Sequence, residues 1–401
     1  MSHLKNLQAA MKRDGMEAVL VTSEVSQRYL SGLNYTDGYV LVLPEKAFLM
    51  ADFRYIEDAR SIVDANDFEV VMPEGGVVRY TSGLLAEQGV KVLHFEEATM
   101  SYGLLETLKK TFEGVELLPG ASAILDGLRE FKDAGEIEKM TRAQQITDAA
   151  FAHILNFINP DRTEVEVALE LEFFMRAHGS EGIAFDTIAV SGSASSRPHG
   201  VPRPVKLEKG FFTMDFGARV DGYCSDMTRT VVIGKADEEV RRVYDTVLHA
   251  QTAALDALRV GLPCAEADKI ARDIIDGAGY KGRFGHSLGH GVGLYIHERP
   301  GVHGGSENVG MRLTIKNETT HNKVAQKACD LINQLSSGKS KEIITGIIAI
   351  AAAAGAGTPT KKCCQYSGCG SSSSIVLNLA NLIAIPIDIK RQKNQPTFGK
   401  S

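Results

Sequence analysis

The chain has no run of residues long and apolar enough to invite a bilayer. Its longest such stretch, Ile343–Gly357, is short of the ~20 residues a spanning helix needs and is rich in Ala and Gly. Cysteine is sparse and irregular: six copies, four of them beyond residue 325, do not form a disulfide framework, so a reducing, cytoplasmic setting is expected. Met1–Asp14 is polar and mixed in charge, which reads against a secretory signal. No excess of positive charge is present. With 44 Lys and Arg against 50 Asp and Glu, the net charge of −6 leaves no footprint for nucleic acid or an acidic membrane. A phosphate-binding loop is lacking too: Ser336–Ser340, SSGKS, ends like one, but Asn333 stands where the upstream glycine is required. Cys363, Cys364 and Cys369 do not have zinc-ligand spacing.

What is present, over 401 residues, is material for two domains with sizeable cores. Up to about residue 120, helix and strand signals alternate. Leu4–Met11 reads as a helix, Ala18–Val21 as a buried strand, and Tyr39–Leu43 and Ala47–Met50 as strands around a Pro44-Glu45-Lys46 turn. Val70–Met72, Lys91–Phe95 and Val115–Leu118 are further strands, a pattern that predicts a three-layer α/β domain. The boundary falls between Leu118-Pro119-Gly120 and Phe131. Beyond it, Asp133 with Glu136, and Thr163 with Glu166, have the spacing of capping boxes that start helices. Another helix starts at Asp237 and stops at Gly261 and Pro263, and Ala265–Asp276 is the next. Helix pairs alternating with antiparallel strands predict an α+β domain. After about Val302 the character changes. From Thr320 onward there are ten Lys or Arg against three Asp or Glu, with runs of Ala at 351–354 and Ser at 371–374.

The chemistry concentrates in Phe211–Ile233, FFTMDFGARVDGYCSDMTRTVVI. Two apolar-rich runs flank Asp221-Gly222, a pair suited to the positive φ angles of a tight hairpin turn. With those two residues as the loop, Val220 faces Tyr223 and Gly217 faces Asp226. Side chains alternate with period two, so Thr213, Asp215, Gly217, Cys224, Asp226, Thr228 and Thr230 share one face. The other face carries Phe212, Met214, Phe216, Ala218, Met227 and Val231, with Arg229 as the exception. Two carboxylates so close repel unless a proton or cation sits between them. A solvated strand face would carry two aspartates without any function. Against that stands a downstream cluster, His286, His290 and His297, with His290 between glycines in GHSLGHGVGLYIHE, and His199 in the loop Ser191–Pro204. An imidazole is well suited to join two carboxylates as a third ligand for Zn, Mn, Fe or Co.

Pro198-His199, Met214-Asp215-Phe216-Gly217, Ser225-Asp226-Met227-Thr228-Arg229-Thr230 and Gly289-His290-Gly291 through His297-Glu298 resemble the pita-bread metallopeptidases. That group holds methionine aminopeptidase, aminopeptidase P, prolidase and creatinase, and the likeness is greatest to bacterial Xaa-Pro peptidases. Val21–Leu33 and Asp52–Ala59 resemble the N-terminal domain that creatinase and the Xaa-Pro enzymes share. The resemblance implies a creatinase-like α/β domain over 1–122 and an α+β pita-bread catalytic domain, truncated, over 123–316. Residues 317–401 are left as a divergent, low-complexity tail expected to be disordered. It further implies a cytoplasmic, homodimeric hydrolase that cleaves an N-terminal residue from a following proline by means of two divalent ions, Mn, Co or Zn. Asp215 would chelate one ion, Asp226 would bridge both, and His290 would bind the second, with His286 in support. His199 and His297 would hydrogen-bond the scissile amide and its developing oxyanion.

The family pattern also contains two glutamates that this chain lacks. One belongs in a strand of the form GMxxTxEPG; the chain has Gly310-Met311-Arg312-Leu313-Thr314-Ile315-Lys316-Asn317, with Lys316 in the place of the glutamate. The other belongs in an Arg-hydrophobic-Glu-Asp strand, and Glu318, Glu342 and Asp388 have no such context. Three protein ligands in place of five, with an ammonium added, predict weakened metal affinity and turnover. The alternatives are a non-catalytic peptide- or partner-binding module and a metal-independent, creatinase-like amidinohydrolase. The retained aspartate pair argues against the second.

Overall fold

The computed structural model describes residues 2–306, apart from Val260, and the backbone of the short strand Leu377–Asn378. Two compact units are formed by the described residues: those up to Lys132 with Gly293–Arg299, and Asp133–Val292 with those from Pro300 on. Lys316, Glu318, Glu342, Asp388 and the whole tail from 317, except the Leu377–Asn378 backbone, lie outside the described residues.

The first unit is built on a six-stranded sheet of β1 (Ala18–Val21), β2 (Tyr39–Val42), β3 (Ala47–Met50), β4 (Glu69–Val71), β5 (Val92–Phe95) and β6 (Glu116–Pro119). Their order is β4-β3-β2-β1-β5-β6. The runs AVLV, YVLV and AFLM are buried at every position, as expected of strands covered on both faces. The six helices are α1 (His3–Asp14), α2 (Glu24–Ser31), α3 (Ile56–Ile62), α4 (Val77–Glu87), α5 (Tyr102–Thr111) and α6 (Ala121–Glu130). Leu84 and Leu85 of α4 and Leu108 of α5 pack with Leu20, Leu41 and Leu93 of the sheet. The α/β expectation holds, with strand ends within a residue or so of those read from the sequence.

Gly293–Arg299 joins this unit through a buried ion cluster. Lys132, only 1% exposed, donates from Nζ to Glu298 Oε2 at 2.7 Å, the Tyr295 amide donates to Oε1 at 3.1 Å, and Arg129 Nε stands 3.7 Å away. Gly293 makes room for this carboxylate, since a Cβ there would lie 2.3 Å from Glu298 Oε2.

The second unit begins with α7 (Ala134–Phe157) and α8 (Glu164–Ala177), and both anticipated capping boxes are formed. Strands β7 (Gly182–Ile183), β8 (Ile188–Ser191), β9 (Gly210–Phe216), β10 (Ala218–Val220), β11 (Tyr223–Cys224) and β12 (Met227–Ile233) follow. Then come α9 (Glu238–Ala257), α10 (Cys264–Ile275) and β13 (Gly289–Gly291). The reverse face of the hairpin, Phe212, Met214, Phe216, Ala218, Met227 and Val231, is the core it was expected to be, packed on Ile146, Phe151 and Ile154 of α7 and Leu171 of α8. A second cluster joins Val247, Ala250 and Ala254 of α9 to Ala267, Ala271 and Ile275 of α10. No helix among the described residues is long and apolar enough to cross a membrane.

Candidate metal centre

The hairpin register is the one expected from Asp221-Gly222 as its loop. Both residues have positive φ, 49° and 86°, and Val220 pairs with Tyr223, Phe216 with Met227, and Asp215 with Thr228. One feature differs from a continuous hairpin. The ribbon is split between two sheets, β12-β9-β8 and β11-β10-β7, with the break at Gly217 and Ser225-Asp226. The two chains approach closely there: a Cβ on Gly217 would lie 1.9 Å from the Ser225 carbonyl oxygen. Thr147 of α7 seals the break. Its hydroxyl lies 2.6 Å from Ser225 Oγ, and the Ala218 amide donates to both oxygens, at 3.0 and 2.9 Å. This hydrogen-bonded junction sits between the two aspartates of the hairpin.

Asp215 and Asp226 face the same side, close enough to share a hydrogen bond. Asp215 keeps some exposure, but its Oδ1 is buried and has no hydrogen-bond partner. Its carboxyl is pushed up to about 7, first by burial and then by the charge of Asp226, while a hydrogen bond from Thr228 and the proximity of His199 work the other way. His290, on β13, completes the group with Nε2 at 3.4 Å from Asp226 Oδ2. Its Nδ1 lies 2.9 Å from the Gly291 carbonyl, an acceptor, so the ring proton belongs on Nδ1 and the lone pair on Nε2. Burial holds His290 below its usual range, the Gly291 carbonyl opposes this, and the charge of His286 adds to it, so the ring is neutral at pH 7. A lone pair directed at a carboxylate, beside a second carboxylate with a bare buried oxygen, is a donor set that fits a cation.

The other sequence candidates are placed as follows. His199 is exposed on the loop between β8 and β9, near enough for its charge to act on Asp215. His286 is half-buried, with Nδ1 2.9 Å from the Ser287 carbonyl. His297 is exposed on the Gly293–Arg299 segment, within the first unit. Sequence reasoning missed Thr147, whose mid-helix hydroxyl gives no signal of its partners 71 and 78 residues away. It also missed Glu164, which looked like an ordinary first-turn acid of α8.

A hairpin with paired aspartates, a histidine on a neighbouring strand and an α/β unit ahead of them define a class. Residues 138–339 match the model of metallopeptidase family M24, and residues 3–131 match the creatinase/prolidase N-terminal domain. The chain belongs to this family of peptidases, and its second unit has the pita-bread fold. Among its relatives, the uncharacterized peptidase YqhT of Bacillus subtilis is 38% identical over 317 residues, 78% of this chain and 88% of that one. The Xaa-Pro dipeptidase of Pyrococcus horikoshii is 35% identical, again over 78% of this chain and 88% of its own. A solved Xaa-Pro dipeptidase from Bacillus anthracis superposes with a TM-score of 0.73 at 39% identity, covering 77% of this chain and 86% of that structure.

Proposed function

We propose that the chain is an Xaa-Pro metallopeptidase, acting on the bond between an N-terminal residue and a following proline. The observation that carries this reading is the convergence of Asp215, Asp226 and the His290 Nε2 lone pair, with Nε2 3.4 Å from Asp226. In this proposal Asp215 would hold one divalent ion, His290 would hold a second, and Asp226 would serve both. Once bound, Mn, Co or Zn would lower the pKa of a shared water and polarise the scissile carbonyl. The chain's own contribution is orientation. The Gly291 carbonyl fixes the His290 tautomer, Thr228 holds the Asp215 carboxylate, and the seal of Thr147 and Ser225 keeps the two strands in register. His199 and His297 are assigned as hydrogen-bond donors to the scissile amide and its oxyanion.

Turnover and metal affinity are low in this reading, because Lys316 occupies the place of one expected glutamate ligand and no match to the second is present in the sequence. That same feature favours a second reading, a non-catalytic peptide-binding module. A creatinase-like amidinohydrolase is disfavoured by the retained aspartate pair. A reducing, cytoplasmic setting belongs to the same proposal, supported by six cysteines without the spacing of a disulfide framework. Homodimerisation belongs to the same proposal and is checked by the mass of the purified protein in solution.

The test assays an Xaa-Pro dipeptide and tripeptide with added Mn or Co, beside metal analysis of the purified chain. Slow cleavage abolished by Asp226→Ala supports the peptidase. Peptide binding without cleavage supports the module, and two tightly held ions per chain refute the weakened centre.

A further inference from the structure

The loop that carries His199 is closed at both ends by one carboxylate. Glu164, the first residue of α8, has no solvent exposure and accepts five hydrogen bonds. Its Oε1 takes the Ser191 amide at 2.7 Å, the Ser191 hydroxyl at 2.7 Å and Arg203 Nη2 at 2.6 Å. Its Oε2 takes the Arg203 amide and Arg203 Nε, both at 2.9 Å. Arg203 Nη2 also reaches across to the Ser191 carbonyl at 3.2 Å, and the Glu164 amide donates to Val205 at 3.1 Å. The two ends of the segment 191–203 are thereby tied to each other through a side chain outside it. Burial opposes ionisation of Glu164, but hydrogen bonds from Arg203 and Ser191 overcome it and hold the carboxyl below its usual range.

Around this clamp the Glu208 amide donates to the Ser191 hydroxyl at 2.9 Å and the Val165 amide to the Arg203 carbonyl at 3.4 Å. The loop's internal bonds are short-range, from Arg197 to Ala194, from Gly200 to Arg197 and from Ser195 to Gly192. Arg197, Pro198 and His199 are exposed at its tip. Ser191 is also the last residue of β8, paired with Phe212 of β9, so the clamp holds the loop where it leaves the sheet of Asp215, while the carboxylate's own bonds go to Ser191 and Arg203.

We propose that Glu164 is the positioning residue for His199, clamping the loop 191–203 so that the imidazole is presented to the aspartate pair. For its catalytic meaning this rests on the role assigned to His199 above; the clamp itself is read without substrate. A flexible loop closed at its base by a charged, bidentate partner costs far less entropy to order than an open one.

The experiment uses the full chain, metal-free, with histidine labelled at ¹³Cε1 and the His199 and His290 resonances assigned from His199→Asn and His290→Asn. In Glu164→Gln, amides in 191–203 are expected to exchange at least tenfold faster. The His199 resonance moves toward that of free histidine, while His290 and the amides of β12 stay as in the parent. Arg203→Met, which leaves the Ser191 contacts in place, gives the same pattern at smaller size and serves as the readout should Glu164→Gln fail to fold. Parent-like loop exchange, an unmoved His199 resonance, or a uniform loss of protection across the second unit overturns the proposal. If the parent never cleaves an Xaa-Pro peptide, the proposed function falls while this readout is unaffected.

Discussion

Replacing Asp215 by Asn tests the electrostatics of the centre without any substrate. In the metal-free chain the Asp215 carboxyl is raised from its ordinary 3.8 to about 7, by burial and then by Asp226. The unfolded chain gives up this proton near pH 4, whereas the folded chain keeps it to about pH 7. Across that window the folded state binds more protons than the unfolded one, so stability must fall as pH rises and level off above about 7. At ~1.4 kcal/mol per pH unit the full window corresponds to about 4 kcal/mol, a ceiling because Asp215 keeps some exposure and titrates jointly with its neighbour. The assay is urea denaturation in the presence of a chelator, from pH 4.5 to 7.5, for the parent and Asp215→Asn. The parent should lose about 2–4 kcal/mol relative to the variant over that range. Asp226→Asn should lessen the slope without removing it, since burial, the larger cause, remains. A divalent ion takes the place of the same proton, so metal affinity should rise up to about tenfold per pH unit in that window. If parent and Asp215→Asn run parallel, or the parent gains on the variant as pH rises, the cation-site argument is wrong.

Three further outcomes are expected from the packing. Gly217→Ala puts a Cβ against a backbone oxygen at 1.9 Å, and should cost about 2–4 kcal/mol in denaturant or prevent folding, where Gly285→Ala, with open space around it, should not. Thr147→Val strips a buried hydroxyl from Ser225 and the Ala218 amide and should cost about 1–3 kcal/mol by the same measurement. Lys132→Met leaves Glu298 buried with Arg129 3.7 Å away, so the melting temperature of the first unit should drop by an amount equivalent to about 3–5 kcal/mol. Adding Glu298→Gln to Lys132→Met should recover part of that loss, and no recovery would mean that the ion pair is not its source.

Much of the centre was legible in the sequence because it is local. Asp221-Gly222 admits positive φ with little strain, and a turn of fixed length sets the register, so the partners of Asp215 and the common face of Asp226 follow by counting. The capping boxes at Asp133 and Thr163, and the fully apolar strands of the first unit, are signals of the same short-range kind. What counting could not reach is contact between distant parts of the chain. The hydroxyl that bonds both strands at the break between the two sheets is that of Thr147, which comes from a helix some 70 residues earlier. The 3.4 Å approach of His290 to Asp226 depends on how β13 is carried to the hairpin, and Glu164 finds Ser191 and Arg203 only when α8 packs beside their loop. Periodicity and turn chemistry are fixed by neighbouring residues along the chain, so the sequence determined the register and the shared face of the aspartates. Burial, and with it the raised Asp215 carboxyl, arises only when separate elements exclude water together, and that the tertiary structure alone decided.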